Sequence, residues 1–335
     1  MKYAAVLAIC LTAAAHADSK VTVNLNQKGQ ELADQIGANL SQVLTDSEAR
    51  INELFELQGL PHLLHSFADT GAFANHGLGV DYQPHDNDLM FGFVADSALA
   101  SDARLTGGDD RVFSATIINY GFTAGASLGR WHHPRWAVSA NGSYASTTIR
   151  KLAGELLAGG AHVQYKAVPD VVRGQIRWTG LSITTGLEHS EWEIGLAAPL
   201  RLNFTVTGTR DHANVALVSN GTLKVNASTT AIPVEVTTGV RLGSVLGIYA
   251  GGGLTFATGT STVTAQLDST LVINADDLQI GTAMITASES DGPSGVTVHA
   301  LAGIQIHTSH VRVYVQGLAT PDERALSIGL RAGID

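Results

Sequence analysis

The strongest constraint on the fold is a two-residue hydrophobic period that runs from Leu89 to the end of the chain. Residues with side chains on alternate faces at this period are typical of β-strands. The runs are longer than the roughly 5–6 residues of ordinary strands. They match the roughly 9–11 residues with which a tilted strand crosses a bilayer. The last run is the clearest and sets one face against the other: Leu326, Ile328, Leu330, Ala332 and Ile334 against Ser327, Gly329, Arg331, Gly333 and Asp335.

This pattern predicts an all-β fold in which one face of each strand meets lipid and the other lines a wet lumen. We expect residues 89–335 to form a closed antiparallel transmembrane β-barrel. At roughly 20 residues per strand and turn, the region allows about 12 strands, within a range of about 10–14. Asn220-Gly221 is the strongest two-residue hairpin signal, and the hydrophobic phase changes at Gly180, which predicts a bulge or tight turn there.

The first 17 residues have the pattern of a cleavable secretory signal peptide. Lys2 supplies the positive region, an apolar stretch follows, and Ala15-His16-Ala17 supplies a small-x-small cleavage pattern. The apolar stretch is shorter than the roughly 20 residues that a transmembrane helix needs. Because Cys10 is the one cysteine of the chain, we expect the exported protein to contain no disulfide.

Residues 18–88 are expected to form a short helical N-terminal segment and linker, with a helical period from Gln27 to about Phe73 and an extended linker over Gly71–Asp88. Leu32, Ile36 and Leu40 recur at helical spacing, and Leu54 and Phe55 belong to a second stripe. Each stripe is one face wide and needs cover. The segment therefore either plugs the lumen or rests on the periplasmic side, and the sequence leaves both open.

Composition excludes several classes of function. Charged residues make up 15 % of the chain, compared with about 25 % in ordinary soluble domains. The 30 acidic residues outnumber the 20 basic ones, which argues against binding of nucleic acid through its phosphates. No glycine-rich phosphate loop is present, and no cofactor is predicted.

The chain resembles bacterial outer-membrane β-barrel proteins as a class. The resemblance rests on the signal peptide, the two-residue period over Leu89–Asp335 and the terminal strand. The resemblance implies export to the outer membrane of a Gram-negative-type bacterium, with outer-membrane lipid and the barrel-assembly machinery as partners. Such barrels usually end in Phe or Trp, whereas this chain ends Ala332-Gly333-Ile334-Asp335.

Eight charged residues at polar strand positions are the candidate pore-lining residues. Rings of charge in a narrow wet channel select among solutes, whereas charges that pair with each other simply fill the lumen, and both interpretations remain open. The eight residues are Asp96, Arg173, Arg177, Glu193, Arg201, Glu235, Arg241 and Arg312.

A catalytic or metal site has little support in the sequence. His307 and Ser309 are weak catalytic candidates, because a serine beside a base can act as a nucleophile and outer-membrane lipid hydrolases have a similar local pair. The 13 histidines lack convincing zinc-ligand spacing, so we expect them in solvated loops and predict no metal site.

These observations favour a non-enzymatic channel or structural outer-membrane protein, porin-like, with a small solute as the partner that a pore would pass. Three alternatives remain: a barrel for hydrophobic solutes with an N-terminal plug, similar to fatty-acid transporters although their Asn-Pro-Ala motif is absent; an outer-membrane lipid hydrolase; and a secreted soluble β-sandwich or adhesin.

Overall fold

The computed structural model describes residues 20–37, 65, 68–73, 76, 80–82, 89–100, 116–149, 152–243, 245–273, 278–308 and 310–334. The predicted signal peptide and the second helical stripe lie outside these residues. Helix α1 spans Gln27–Ile36, a 3-10 helix spans Leu128–Trp131, and residues 68–73 are also helical. The strands are β1 (Lys20–Leu25), β2 (Leu89–Ala100), β3 (Thr116–Ser127), β4 (Trp136–Ile149), β5 (Leu152–Val168), β6 (Val171–Arg173), β7 (Ile176–Thr207), β8 (His212–Leu242), β9 (Leu246–Ile273), β10 (Leu278–Asp291), β11 (Val296–His307), β12 (Val311–Ala319) and β13 (Glu323–Ile334).

Ten of the described strands form a closed antiparallel barrel, β1 and β10 are bonded outside it, and the three-residue β6 pairs with the first residues of β7. Around the ring the order is β9-β11-β12-β13-β2-β3-β4-β5-β7-β8, and the pairing of β8 with β9 closes it. β10 pairs with the part of β9 that extends beyond β11, and β1 pairs with β10. Among the described residues, no helix is long and apolar enough to cross a membrane.

The predicted fold class is confirmed, and the strand number falls at the lower end of the predicted range. The reason is strand length: β7, β8 and β9 contain 32, 31 and 28 residues, so fewer strands use the same stretch of chain. The hairpin expected at Asn220-Gly221 is wrong, because both residues lie inside β8, where they pair with β7 and β9. The phase change at Gly180 is confirmed as a register shift between Trp178 and Leu181.

The two faces of the barrel have the predicted polarity. In β13 the outward residues Leu326, Ile328 and Leu330 are about half exposed, whereas Ser327 and Arg331 are buried on the inner face. The other strands that close the ring alternate in the same way. Because an apolar outer face around a polar interior is the pattern of a barrel in lipid, the resemblance to outer-membrane β-barrels is confirmed at the level of the fold.

The two ends of the barrel differ. We call the end where β2 begins and β13 finishes the near end, and the opposite one the far end. The connections at the near end, such as residues 308–310 between β11 and β12, are short. At the far end β7, β8 and β9 continue past the ring, and with β10 and β1 they form a five-stranded sheet, which we call the extension.

Among the described residues, helix α1 packs against the extension, next to β10 and β1. The Asn26 side chain caps its first turn by accepting a hydrogen bond from Gly29 N at 3.0 Å. Ala33 and Ile36 are buried. At the C-terminal end of the helix, the Ile36 carbonyl accepts a hydrogen bond from Arg210 N at 2.9 Å, in the turn between β7 and β8. The apolar stripe of this helix is thus covered at the far end of the molecule.

Candidate functional site

The described residues between 65 and 82 lie inside the ring of inner-face side chains, the first of them at the far end and the last at the near end. At the far rim, the Asp69 carboxylate accepts hydrogen bonds from Ser294 N at 2.6 Å and Ser294 Oγ at 2.9 Å. At the near end, the Val80 carbonyl accepts a hydrogen bond from Arg331 at 2.7 Å. We call the described part of this stretch (residues 65, 68–73, 76 and 80–82) the lumen segment.

Residues 68–73 of the lumen segment are helical and pack against the wall. Ser190 Oγ donates a hydrogen bond to the Gly71 carbonyl at 2.8 Å. Phe73 belongs to a buried apolar cluster that includes Trp192 of β7 and Leu318 of β12. The inner face of the barrel is largely polar, but it therefore also offers apolar side chains against which the segment packs.

His76 lies at the centre of the lumen and is 1 % exposed. Its Nε2 atom is 3.1 Å from Glu235 Oε1 of β8 and 3.2 Å from His299 Nε2 of β11. His299 Nε2 is also 3.1 Å from the same Glu235 oxygen. These three atoms form a nearly equilateral triangle, which we call the histidine–glutamate triangle.

Buried side chains orient each member of the triangle. Glu188 Oε2 is 3.1 Å from His76 Nδ1, and Glu188 Oε1 is 2.8 Å from His162 Nε2. The Tyr82 hydroxyl donates a hydrogen bond to Glu235 Oε2 at 2.7 Å. Glu188, Glu235 and Tyr82 are almost fully buried, and an unpaired charge at such depth would be costly.

A second ionic cluster, located at the near end of the barrel, joins the lumen segment to the wall. Asp81 forms ion pairs with Arg312 of β12 and Arg331 of β13. The Arg331 guanidinium also lies 4.3 Å from the centre of the Tyr314 ring, a cation–π contact. Because Asp81 and both arginines are buried, this cluster joins the segment to the wall at a second level, closer to the near end than the triangle.

Four of the eight predicted pore-lining residues are buried on the inner face. Glu235 belongs to the triangle and Arg312 to the lower cluster. Asp96 accepts a hydrogen bond from Ser327 Oγ at 2.7 Å, and Arg241 is buried at 5 % exposure. The structure brings these residues into a packed interior, and their part in selecting a solute remains a prediction.

The other four lie away from the two clusters. Arg173 and Arg201 are exposed. Glu193 is exposed on the face opposite to buried Trp192 and pairs with Lys224 at 2.8 Å. Arg177 is half-buried near the start of β7 and pairs with Asp170 at 2.5 Å. The alternation of the sequence predicted that these four residues face the lumen. In the structure they lie in the extended part of a strand or close to a turn at a strand end.

Asp170 lies in the near-end connection between β5 and β6. Partial burial raises the pKa of its carboxyl, but the Lys166 ammonium at 2.6 Å and the Arg177 guanidinium outweigh burial and hold the pKa below its ordinary value. The Asp170 side chain is 14 % exposed, and none of its described pairs is with the lumen segment.

The expectation of solvated loop histidines is wrong for several positions. His76, His162, His299 and His307 are buried. His299 and His307 occupy inner positions of an alternating strand, so the period itself carried a signal that sequence reasoning did not use. His76 carried none, because it lies between strands. The weak catalytic pair remains untested, since Ser309 lies outside the described residues.

Residues 12–334 match the family described as Lsa36-like. No curated protein matches the chain. Among solved structures the chain is similar to Ail, the attachment invasion locus protein of Yersinia pestis (10 % identity over 74 % of this chain and 98 % of that chain, TM-score 0.23). It is also similar to the toluene transporter TbuX of Ralstonia pickettii (7 % identity over 81 % of this chain and 93 % of that chain, TM-score 0.28). A third similar structure is the outer membrane protease OmpT of Escherichia coli (9 % identity over 76 % of this chain and 100 % of that chain, TM-score 0.35).

The family match begins ahead of the first described strand and continues to the last residue of β13, so it includes the lumen segment together with the whole barrel. Because it spans nearly the whole chain, the protein belongs to the Lsa36-like family.

Proposed function

We propose that the protein is a non-enzymatic outer-membrane barrel whose channel for small solutes is closed by its own lumen segment. The single observation that carries this proposal is the path of the chain. Helix α1 lies at the far end, His76 lies at mid-lumen, and Asp81 is held at the near end before β2 begins. The segment thus follows the lumen along its length.

The contacts of the segment support a specific closed state rather than loose filling. The histidine–glutamate triangle and the Asp81 cluster join the segment to β7, β8, β11, β12 and β13. Buried charges that are paired and hydrogen-bonded are costly to separate. Solute passage therefore requires movement of the segment.

The proposal includes export by a signal peptide and an orientation in the outer membrane. In bacterial barrels, short turns face the periplasm and longer loops face outside. The short near-end connections favour a periplasmic near end, and the extension then projects from the cell surface with β1 and α1 attached.

Conductance in planar bilayers tests the closure. Full-length protein is compared with a truncated variant that begins at residue 83 and lacks the lumen segment. We expect low conductance for the full chain and sustained ion conductance for the truncated one. Equal, low conductance of both proteins would contradict the channel, provided that both show the heat-modifiable gel migration of a folded barrel.

A reversible lock tests whether the segment itself moves. A Cβ atom built on Gly71 lies 3.6 Å from Ser190 Oγ, close to the separation that a disulfide needs. In the double variant Gly71→Cys/Ser190→Cys, oxidation should abolish any openings of the full chain and reductant should restore them. Gly71→Cys alone is the matched control and should respond to neither treatment.

A structural role is the second candidate, favoured by the extension, which carries its own buried core around Val215, Leu217 and Leu271. In that case the lumen segment is permanent and the barrel serves to present the extension. Absence of openings in the full chain and in the reduced double variant would favour this role.

A further inference from the structure

The histidine–glutamate triangle has the dimensions of a set of zinc ligands. Zinc binds histidine nitrogen at about 2.0–2.1 Å and carboxylate oxygen at about 2.0–2.2 Å in tetrahedral geometry, so two ligand atoms lie about 3.4 Å apart. The three edges of the triangle measure 3.1, 3.2 and 3.1 Å. In the part of the chain that the structure describes, this is also the one group of three histidine or acidic residues whose ligand atoms lie close enough to share an ion.

We propose that His76 Nε2, His299 Nε2 and Glu235 Oε1 bind one divalent zinc-like cation inside the barrel. Two imidazoles and one carboxylate leave the fourth tetrahedral position for water. The site is built from the lumen segment, β8 and β11 together. The metal therefore ties the segment to the barrel wall.

The surrounding hydrogen bonds set the tautomers that metal binding requires. A histidine that ligates through Nε2 carries its proton on Nδ1, and that N–H usually donates to a carboxylate or another oxygen. His76 Nδ1 lies 3.1 Å from Glu188 Oε2, and His299 Nδ1 lies 3.3 Å from Thr255 Oγ1. Both imidazoles are thereby oriented with a free Nε2 lone pair toward the centre of the triangle.

The carboxylates are arranged in the same way. Glu235 uses Oε2 to accept the Tyr82 hydroxyl, which leaves Oε1 for the metal. Glu188 accepts hydrogen bonds from His76 Nδ1 and from His162 Nε2. The two buried negative charges of Glu188 and Glu235 then balance the two positive charges of the cation, which removes the penalty for unpaired buried charge.

Protons alone satisfy the triangle poorly. If both Nε2 atoms carry hydrogen, two N–H groups face each other at 3.2 Å. If His299 Nε2 is unprotonated, its lone pair faces the Glu235 oxygen at 3.1 Å. With Glu235 ionised, each arrangement leaves one edge that joins two groups of the same hydrogen-bonding type, whereas a central cation interacts favourably with all three atoms.

The metal site goes beyond the proposed closed channel and does not require that the lumen ever conducts. Its test uses metal binding rather than conductance, so the two proposals fail separately. A barrel that binds zinc but never opens would retain this site and lose the channel.

The first measurement is the zinc content of the full-length protein, folded into detergent with zinc present and then freed of unbound metal. We expect one zinc ion per chain. Cobalt(II) substitution gives a second signal that needs no variant, because four-coordinate cobalt has intense visible absorption and hydrated cobalt has not. Sub-stoichiometric zinc, or cobalt with only the spectrum of the hydrated ion, would overturn the site.

Variants assign the ligands. His299→Ala and Glu235→Gln each remove a ligand, and we expect zinc affinity to fall by more than about 100-fold. Glu188→Gln leaves the ligands in place but alters the orientation of His76, and a loss of about 10- to 100-fold is expected. His307→Ala is the matched control, because His307 is also a buried histidine of β11 but lies outside the triangle.

Affinity that survives His299→Ala, or that His307→Ala lowers to the same degree, would contradict the assignment. Each variant is first checked for the heat-modifiable migration of a folded barrel. If His299→Ala does not fold, His299→Gln keeps a polar side chain of similar length at the position and replaces it in the comparison.

Discussion

At the scale of single residues, burial separates the charges that join the lumen segment to the barrel wall from those that lie on the surface. Asp81, Arg312 and Arg331 are 5 % exposed or less, whereas Glu193 and Lys224 form their pair at about half exposure. Exposed pairs contribute roughly 0–1 kcal/mol. Breaking a buried pair by removing one partner typically costs about 3–5 kcal/mol, so the buried cluster dominates.

The substitution Asp81→Asn should therefore destabilise the folded barrel by about 3–5 kcal/mol. It leaves the Arg312 and Arg331 guanidiniums buried without the carboxylate that they share. Denaturant unfolding, followed by loss of the compact heat-modifiable form, measures the change. Glu193→Gln removes a half-exposed carboxylate from its pair with Lys224 and should cost about 1 kcal/mol or less. Equal losses in the two variants would contradict the role of Asp81.

At the scale of elements, the extension provides the packing surface for helix α1, although this helix precedes the barrel strands in the sequence. Helix α1 was predicted from its period, but its partner was not. The first turn of the helix lies so close to β10 that a Cβ atom on Gly29 would be 2.2 Å from the Ile280 carbonyl oxygen. Glycine is needed there for close approach rather than for an unusual backbone angle.

Gly29→Ala should loosen α1 from the extension by about 1–3 kcal/mol, because the added methyl group overpacks the contact. Helix propensity alone predicts the opposite sign, since alanine favours a helix over glycine by about 1 kcal/mol. Hydrogen exchange of the α1 amides measures the effect. Gln30→Ala, at the exposed neighbouring position, is the control. Slower exchange in Gly29→Ala than in the unmodified chain would contradict the close contact.

At the scale of the whole molecule, the path of the chain sets the topology across the membrane. The described residues place α1 at the far end and the start of β2 at the near end, with the lumen segment between them. A protein that merely rested its N-terminal residues on the periplasmic side would have α1 and the start of β2 at the same end.

Single cysteines test this topology with a membrane-impermeant maleimide on intact cells. Lys28→Cys in α1 and Asn203→Cys in the extension lie at exposed far-end positions, and His133→Cys lies in an exposed near-end turn. We expect the first two to react in intact cells and the third only after the outer membrane is permeabilised. Reaction at position 203 without reaction at position 28 would contradict the passage of the chain through the lumen.

Features that depend on near neighbours could be predicted from the amino-acid sequence alone. Alternation at a period of two sets which side chain of each strand faces lipid, and the helical spacing of Leu32 and Ile36 sets one face of α1. The apolar outer face of β13 and the polar inner face that carries Ser327 and Arg331 followed directly from this local geometry.

Tertiary structure decided which distant residues meet. The strand number depended on the lengths of β7, β8 and β9. Turn signals such as Asn220-Gly221 predicted breaks inside strands that in fact continue. His76 meets Glu235 and His299 although 159 and 223 residues separate them. No local pattern encodes such contacts, because strand register and ring closure position the two wall residues, and burial inside the closed ring positions the histidine between them.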